Sequence, residues 1–191
     1  MGLGARAIRS ASGVCSSVAE LGGRASVLND VATALYGIMR PVEEVRIVVG
    51  GLGPGEAAEA VASALGMEAF VAEISERLSS VGIVALNPVF SPLVVVELAR
   101  GELDELLLEH SPEVEVLGAG LAIPELEFLI ARLASMGSYP HAALAAALQV
   151  AWDGLLRHDL LSQLLDLAGR REEHAGLVED VRRLASALGI I

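Results

Sequence analysis

Val45-Arg46-Ile47-Val48-Val49-Gly50-Gly51-Leu52-Gly53-Pro54-Gly55-Glu56 joins a β-branched run to a glycine cluster and then to a helical pattern. β-Branched side chains suit a pleated, packed surface, so Arg46–Val49 reads as a buried strand. The helix runs over about Glu56–Leu65, with Gly66 behind it. Strand, glycine loop and helix in that order is how many nucleotide- and cofactor-binding proteins present backbone N–H groups to a ligand. Gly51, Gly53 and Gly55 are therefore candidate cofactor-binding positions. A second reading is a tight turn whose glycines let a helix pack closely on a strand.

Gly50 to Gly55 has the spacing of a phosphate loop, but the next residues are Glu56 and Ala57 instead of Lys and Ser or Thr. Without that lysine and hydroxyl, neither triphosphate nor magnesium is held, and nucleoside-triphosphatase chemistry is excluded. The Gly51-x-Gly53-Pro54-Gly55 form resembles the glycine loop of S-adenosylmethionine-dependent methyltransferases. The resemblance continues through Glu68–Glu73, where a second strand would bring Glu73 to the ribose hydroxyls. It ends in Asn87-Pro88-Val89-Phe90, similar to the Asn-Pro-Pro-Tyr/Phe element of amino-methyltransferases. The pattern departs at Val49, where that family carries an acidic residue, and at Val89, where it carries proline. Residues 67–80 have two readings, because Met67, Phe70, Val71, Ile74 and Leu78 also fall on one helical face.

Composition narrows the chemistry. All 13 basic residues are arginine, which removes Schiff-base catalysis and pyridoxal-phosphate anchoring. A net charge of −12 and 3% aromatics argue against nucleic-acid binding, which needs clustered cations and stacking rings. Arg170-Arg171 and Arg182-Arg183 have carboxylates beside them at helical spacing. Cys15 is the sole cysteine, so an internal disulfide and a cysteine metal cluster are both out. Scarce Asn, Gln and Thr point to a thermophile. No apolar run reaches the roughly 18 residues of a membrane helix, and serines break up the N-terminus, which indicates a cytoplasmic protein. A mean hydropathy of +0.58 is high for a monomer and predicts a homo-oligomer or a protein partner.

The remaining chain reads mostly as helix. Ala7, Ile8, Ala11, Val14, Cys15 and Val18 make one stripe; Val27, Leu28, Val31, Leu35, Ile38 and Met39 make another, giving a helical hairpin over 1–40. The mixed segment is 45–123. It has strands at Gly82–Leu86 and Glu113–Leu117 and helices at Pro92–Ala99 and Glu102–Glu109. The helical segment is 124–191. It breaks at Ser138-Tyr139-Pro140 and Gly154, and Gly189 closes it. Leu160, Leu164, Val181 and Leu188 are the expected association face.

No pair among His110, His141, His158 and His174 has metal-ligand spacing; His110 and His174 read as solvent-exposed. No nucleophile elbow is present, and Glu102, Glu105 and Glu109 read as a solvated helix face. The chain is thus expected to be a single α+β domain, mainly helical, with a small three- to four-stranded sheet in its middle. The function expected is that of a non-catalytic, complex-forming subunit. The alternative is a nucleotide-like cofactor-binding domain of the methyltransferase kind, with Gly51, Gly53, Gly55 and Glu73 at its site and the cofactor itself unknown.

Overall fold

Ile47-Val48-Val49 and Val94-Val95-Val96 are buried on both strand faces and form the centre of a five-stranded sheet. In a computed structural model the described residues are 4–38, 41–42, 44–66, 69–74, 80–85 and 93–189. The strands are β1 (Arg24–Leu28), β2 (Glu44–Gly50), β3 (Ala69–Ile74), β4 (Ser80–Ala85) and β5 (Leu93–Leu98), in the order β1-β2-β5-β4-β3. β2 and β5 run parallel, and every other neighbouring pair is antiparallel. A separate hairpin joins β6 (Glu113–Val116) to β7 (Ala119–Ala122).

The chain divides into two compact units, Met1–Pro124 and Glu125–Ile191. In the first, α1 (Ala5–Glu20) buries Ala7, Ile8, Ala11, Val14 and Val18 along one stripe, as the 3.6-residue period requires. α1 packs on α3 (Pro54–Leu65), where Gly13 faces Ala64. The short α2 (Asn29–Leu35) follows β1 directly, and α4 (Gly101–Glu109) lies over the β1–β2 end that carries Gly50 and Arg24. Gly50 has no side chain because Leu108 of α4 occupies its place: an added Cβ would lie 2.5 Å from Leu108 Cδ1.

The second unit is helical: α5 (Leu126–Ser135), α6 (Tyr139–Trp152), α7 (His158–Leu167) and α8 (Arg171–Ala187). A 3₁₀ turn at Asp153–Leu155 makes the break expected at Gly154. Phe128, Leu129, Ile130, Leu133, Leu148 and Leu161 form its core. Two polar contacts, each made by a buried side chain, tie the helices. Glu127 on α5 accepts from the Arg157 backbone N–H at 2.8 Å and from its guanidinium Nη2 at 2.8 Å. His174 on α8 meets Gln149 on α6 at 2.7 Å.

The α+β, mainly helical class holds, with several local corrections. The helical hairpin over 1–40 is not formed, because Val27 and Leu28 end strand β1 and the helix after it spans only Asn29–Leu35. Of the helix expected at Pro92–Ala99, the described residues 93–99 are not helical. Val94–Val96 make a strand, as consecutive β-branched residues buried on both faces do. His174 is buried, not exposed. Of the expected association face, Leu188 is exposed, Leu164 is buried, and Leu160 and Val181 are half-buried. Among the described residues no helix is long and apolar enough to cross a membrane.

Candidate functional site

The glycine loop has the predicted form: β2 enters a turn at Gly51, whose φ is 81°, and α3 starts at Pro54. Its contacts are with the protein itself. The Gly53 N–H donates to Glu56 Oε2 at 2.8 Å, so the helix terminus is capped by its own carboxylate. Gly51 lies 3.6 Å from the Gly23 Cα, measured from the position a Cβ would take, and Leu52 covers Gly23. Gly55 is exposed, with nothing within 4 Å of where a Cβ would be. Glu73 lies on β3, as a strand reading requires, but β5 and β4 stand between β3 and β2. Three strand spacings of ~4.8 Å put it about 14 Å across the sheet from β2. The structure therefore does not bring Glu73 together with Gly51, Gly53 and Gly55. Asn87-Pro88-Val89-Phe90 lies outside the described residues.

The polar residues that do converge lie elsewhere on the same sheet. Side chains alternate along a strand, so Glu44, Arg46, Val48 and Gly50 share one face of β2. Val48 is in register with Glu97 on β5, which puts Glu97 on that face too. Arg46 reaches both carboxylates. Its Nε and Nη2 donate to Glu44 at 2.6 and 3.0 Å, and its Nη1 donates to Glu97 Oε1. The first turn of α2 completes the cluster. Asn29 Nδ2 donates to Glu44 Oε1 at 3.1 Å, and the Glu44 N–H donates to Asp30 Oδ2 at 3.3 Å. Asn29 adopts φ 49°, a left-handed conformation that asparagine tolerates better than most residues.

Burial decides the electrostatics. Asn29, Asp30 and Glu97 are buried, and the Arg46 side chain is 17% exposed. Burial alone works against the Arg46 charge. Hydrogen bonds to Glu44 and the negative charge of Glu97 outweigh it, so the guanidinium is held more basic than usual. Two carboxylates against one guanidinium leave this trio one negative charge in excess. Charged groups inside a sheet persist only when paired, and each of these is.

That rule is the signal the sequence carried. Arg46 interrupts a β-branched run, Glu97 interrupts Val94–Leu98, and Asn29-Asp30 interrupts Val27–Ala34. Each is a polar residue where only a partnered one is tolerated. The partners could not be matched, because 51 positions separate Arg46 from Glu97 and Glu97 falls in the Pro92–Ala99 stretch read as helix.

Two other features have other chemistry. A cleft of about 320 Å³ in the first unit is lined by Cys15, Arg24, Ser111 and Glu113 among others. Burial pushes the Cys15 thiol up to about 11, so it is not a thiolate at neutral pH. Among the described residues no group of three or more His, Cys, Asp or Glu is placed to hold a metal ion.

No family model and no curated protein matches this chain. Among solved structures it is similar to an antigenic nucleotidyltransferase-like protein from Paracoccidioides brasiliensis. The identity is 11% and the TM-score 0.51, over 92% of this chain and 93% of that one. The solution structure of the antibiotic-resistance factor ANT(2'')-Ia is 15% identical over 95% and 94%, with a TM-score of 0.45. The first likeness shows a shared fold, and it runs through the sheet unit and the helical unit alike. It overturns both functional expectations. A non-catalytic complex-forming subunit and a methyltransferase-like cofactor domain are replaced by a nucleotidyltransferase-like fold. The strand order gives the physical reason for the second. A dinucleotide-type unit returns its next strand beside the first, whereas β3 stands three places from β2 in a sheet with antiparallel pairs.

Proposed function

We propose that this chain is a nucleotidyltransferase-type protein that handles a nucleotide at the face carrying Asn29, Glu44, Arg46 and Glu97. The observation that carries the reading is the likeness to a nucleotidyltransferase-like protein along nearly the whole of both chains. The cluster supports it. Keeping charges inside a sheet is expensive, and such groups gather where a protein does chemistry or recognises a polar ligand.

The reaction class is transfer of a nucleotidyl group: an acceptor hydroxyl gives up its proton as its oxygen bonds to the α-phosphorus, the bond from the α-phosphorus to the bridging oxygen breaks, and pyrophosphate leaves. In this reading Glu44 and Glu97 are the acceptors for a ribose or acceptor hydroxyl, and Arg46 keeps their carboxylates oriented. The chemistry is ordinarily assisted by divalent cations clamped between carboxylates. The residues here do not fit such an ion, because the Arg46 guanidinium already hydrogen-bonds both carboxylates.

Calorimetric titration with each of the four ribonucleoside triphosphates, together with transfer of an α-phosphate label to polyol, aminoglycoside and RNA acceptors, tests the proposal. Binding of at least one nucleotide, weakened by Glu97→Gln, is expected. No heat with any nucleotide and no label transfer would overturn it.

A further inference from the structure

We infer that Arg46 occupies the place of a divalent cation between Glu44 and Glu97, so that the face works with a built-in positive charge and is closed to metal. The inference rests on the nucleotidyltransferase-type reading for what the cation would have done; the closure itself follows from the side-chain geometry.

Three of the guanidinium's nitrogens are in use, Nε and Nη2 on Glu44 and Nη1 on Glu97. A magnesium or calcium ion would need those same carboxylate oxygens at ~2.0–2.6 Å. The nitrogens stand at 2.6 and 3.0 Å from the Glu44 oxygens, so an ion cannot enter unless Arg46 leaves. Leaving is hard. Arg46 is a mid-strand residue, in register with Leu28 of β1 on one side and Val95 of β5 on the other. It is not on a loop that can swing away. Proton loss offers no escape either, because a guanidinium stays charged at any ordinary pH. Asn29 fills a further direction around Glu44 Oε1.

The charge count separates this arrangement from a metal site. One guanidinium brings a single charge that stays put through every turnover, whereas a clamp of two divalent ions brings four that come and go with the nucleotide. Nucleotide handling here is therefore expected to be indifferent to chelator.

The test is manganese binding, read by electron paramagnetic resonance and calorimetry on the full chain. The wild type is expected to bind no manganese at this face up to ~1 mM, a concentration at which even weak oxygen sites fill. Arg46→Ser, shown folded by circular dichroism, is expected to gain one site per chain with affinity raised at least about tenfold over the wild type. Adding Glu97→Gln to that variant should remove it. Stoichiometric manganese on the wild type that Glu97→Gln abolishes would overturn the inference, and so would a folded Arg46→Ser that gains nothing. If Arg46→Ser does not fold, the wild type and Glu97→Gln titrations decide the matter alone. Nucleotide binding by the wild type in EDTA is measured separately. Its absence both with and without EDTA counts against the nucleotidyltransferase-type reading and leaves the manganese result to stand or fall by itself, whereas binding lost only in EDTA would overturn the inference.

Discussion

Gly23→Ala is expected to destabilise the chain by about 2 kcal/mol, the middle of the range for overpacking a filled site. A Cβ at Gly23 would lie 2.6 Å from Leu52 Cγ and 2.9 Å from Val18 Cγ1, against ordinary contacts of 3.4–4 Å. Neither neighbour yields easily. Leu52 is met at its branch point, and Val18 is β-branched and fully buried on α1. Leu52→Ala alone removes a half-buried side chain and should cost about 1 kcal/mol. The double variant relieves the closer clash and should cost about 2 kcal/mol in place of the additive ~3. Gly55→Ala, with open space around it, should stay within about 0.5 kcal/mol. Urea unfolding followed by far-ultraviolet circular dichroism measures all four, since the single tryptophan, Trp152, lies in the other unit. Additive effects, or a Gly23→Ala variant as stable as the wild type, would refute the view that these glycines serve packing between β1 and the loop.

The remaining expectations concern single contacts. Burial holds the His174 imidazole down to about 4 from 6.5, so the unfolded chain takes up its proton first; stability is full above about pH 6.5 and declines as pH falls toward 4. The loss is at most about 3.5 kcal/mol at ~1.4 kcal/mol per unit, and His174→Gln should flatten the slope in urea melts between pH 4 and 7. Glu127 is held below the usual carboxylate range because the Arg157 hydrogen bonds outweigh its burial. Glu127→Ala should accordingly cost about 2 kcal/mol in thermal melts at neutral pH, with the difference shrinking as pH falls through the carboxylate range. Leu117 has φ 51° at the β6–β7 turn, ahead of Gly118 at φ 77°, and is 75% exposed. Leu117→Asn should raise stability by about 0.5–1 kcal/mol; an unchanged or lower urea midpoint would contradict that strain.

The elements legible in the sequence were those with an unambiguous period. α1 was readable because its apolar residues recur every three or four positions, and β2 because three β-branched residues precede a glycine. Val27-Leu28 misled because two apolar residues before Asn29 fit a helix stripe as well as a strand end, and the pairing with β2 that decides between them is not local. Pro92–Ala99 failed for the same reason: a continuous apolar run has no period, and only its place between β2 and β4 makes it a strand. The glycine loop was seen correctly as a shape. The contacts of Glu56 and Leu52, which fill it, could not be read from spacing. The polar cluster was missed because its members are one or two residues in each of three separate segments.

The parallel pair β2–β5 is also a seam. β1, α2 and β2 form one consecutive block and β3, β4 and β5 another, each paired within itself by antiparallel neighbours. Only the β2–β5 ladder joins them within the sheet, and it must wait until the intervening chain has folded back, which makes it the costliest closure in the sheet. The bond from Arg46 to Glu97 crosses that seam. In hydrogen exchange, amides pointing across the seam should therefore open together as one cooperative unit, ahead of those shared with β1 or β4. The Arg46–Glu97 bond is then also a side-chain clasp, added to the backbone ladder along the line where the two halves of the sheet meet.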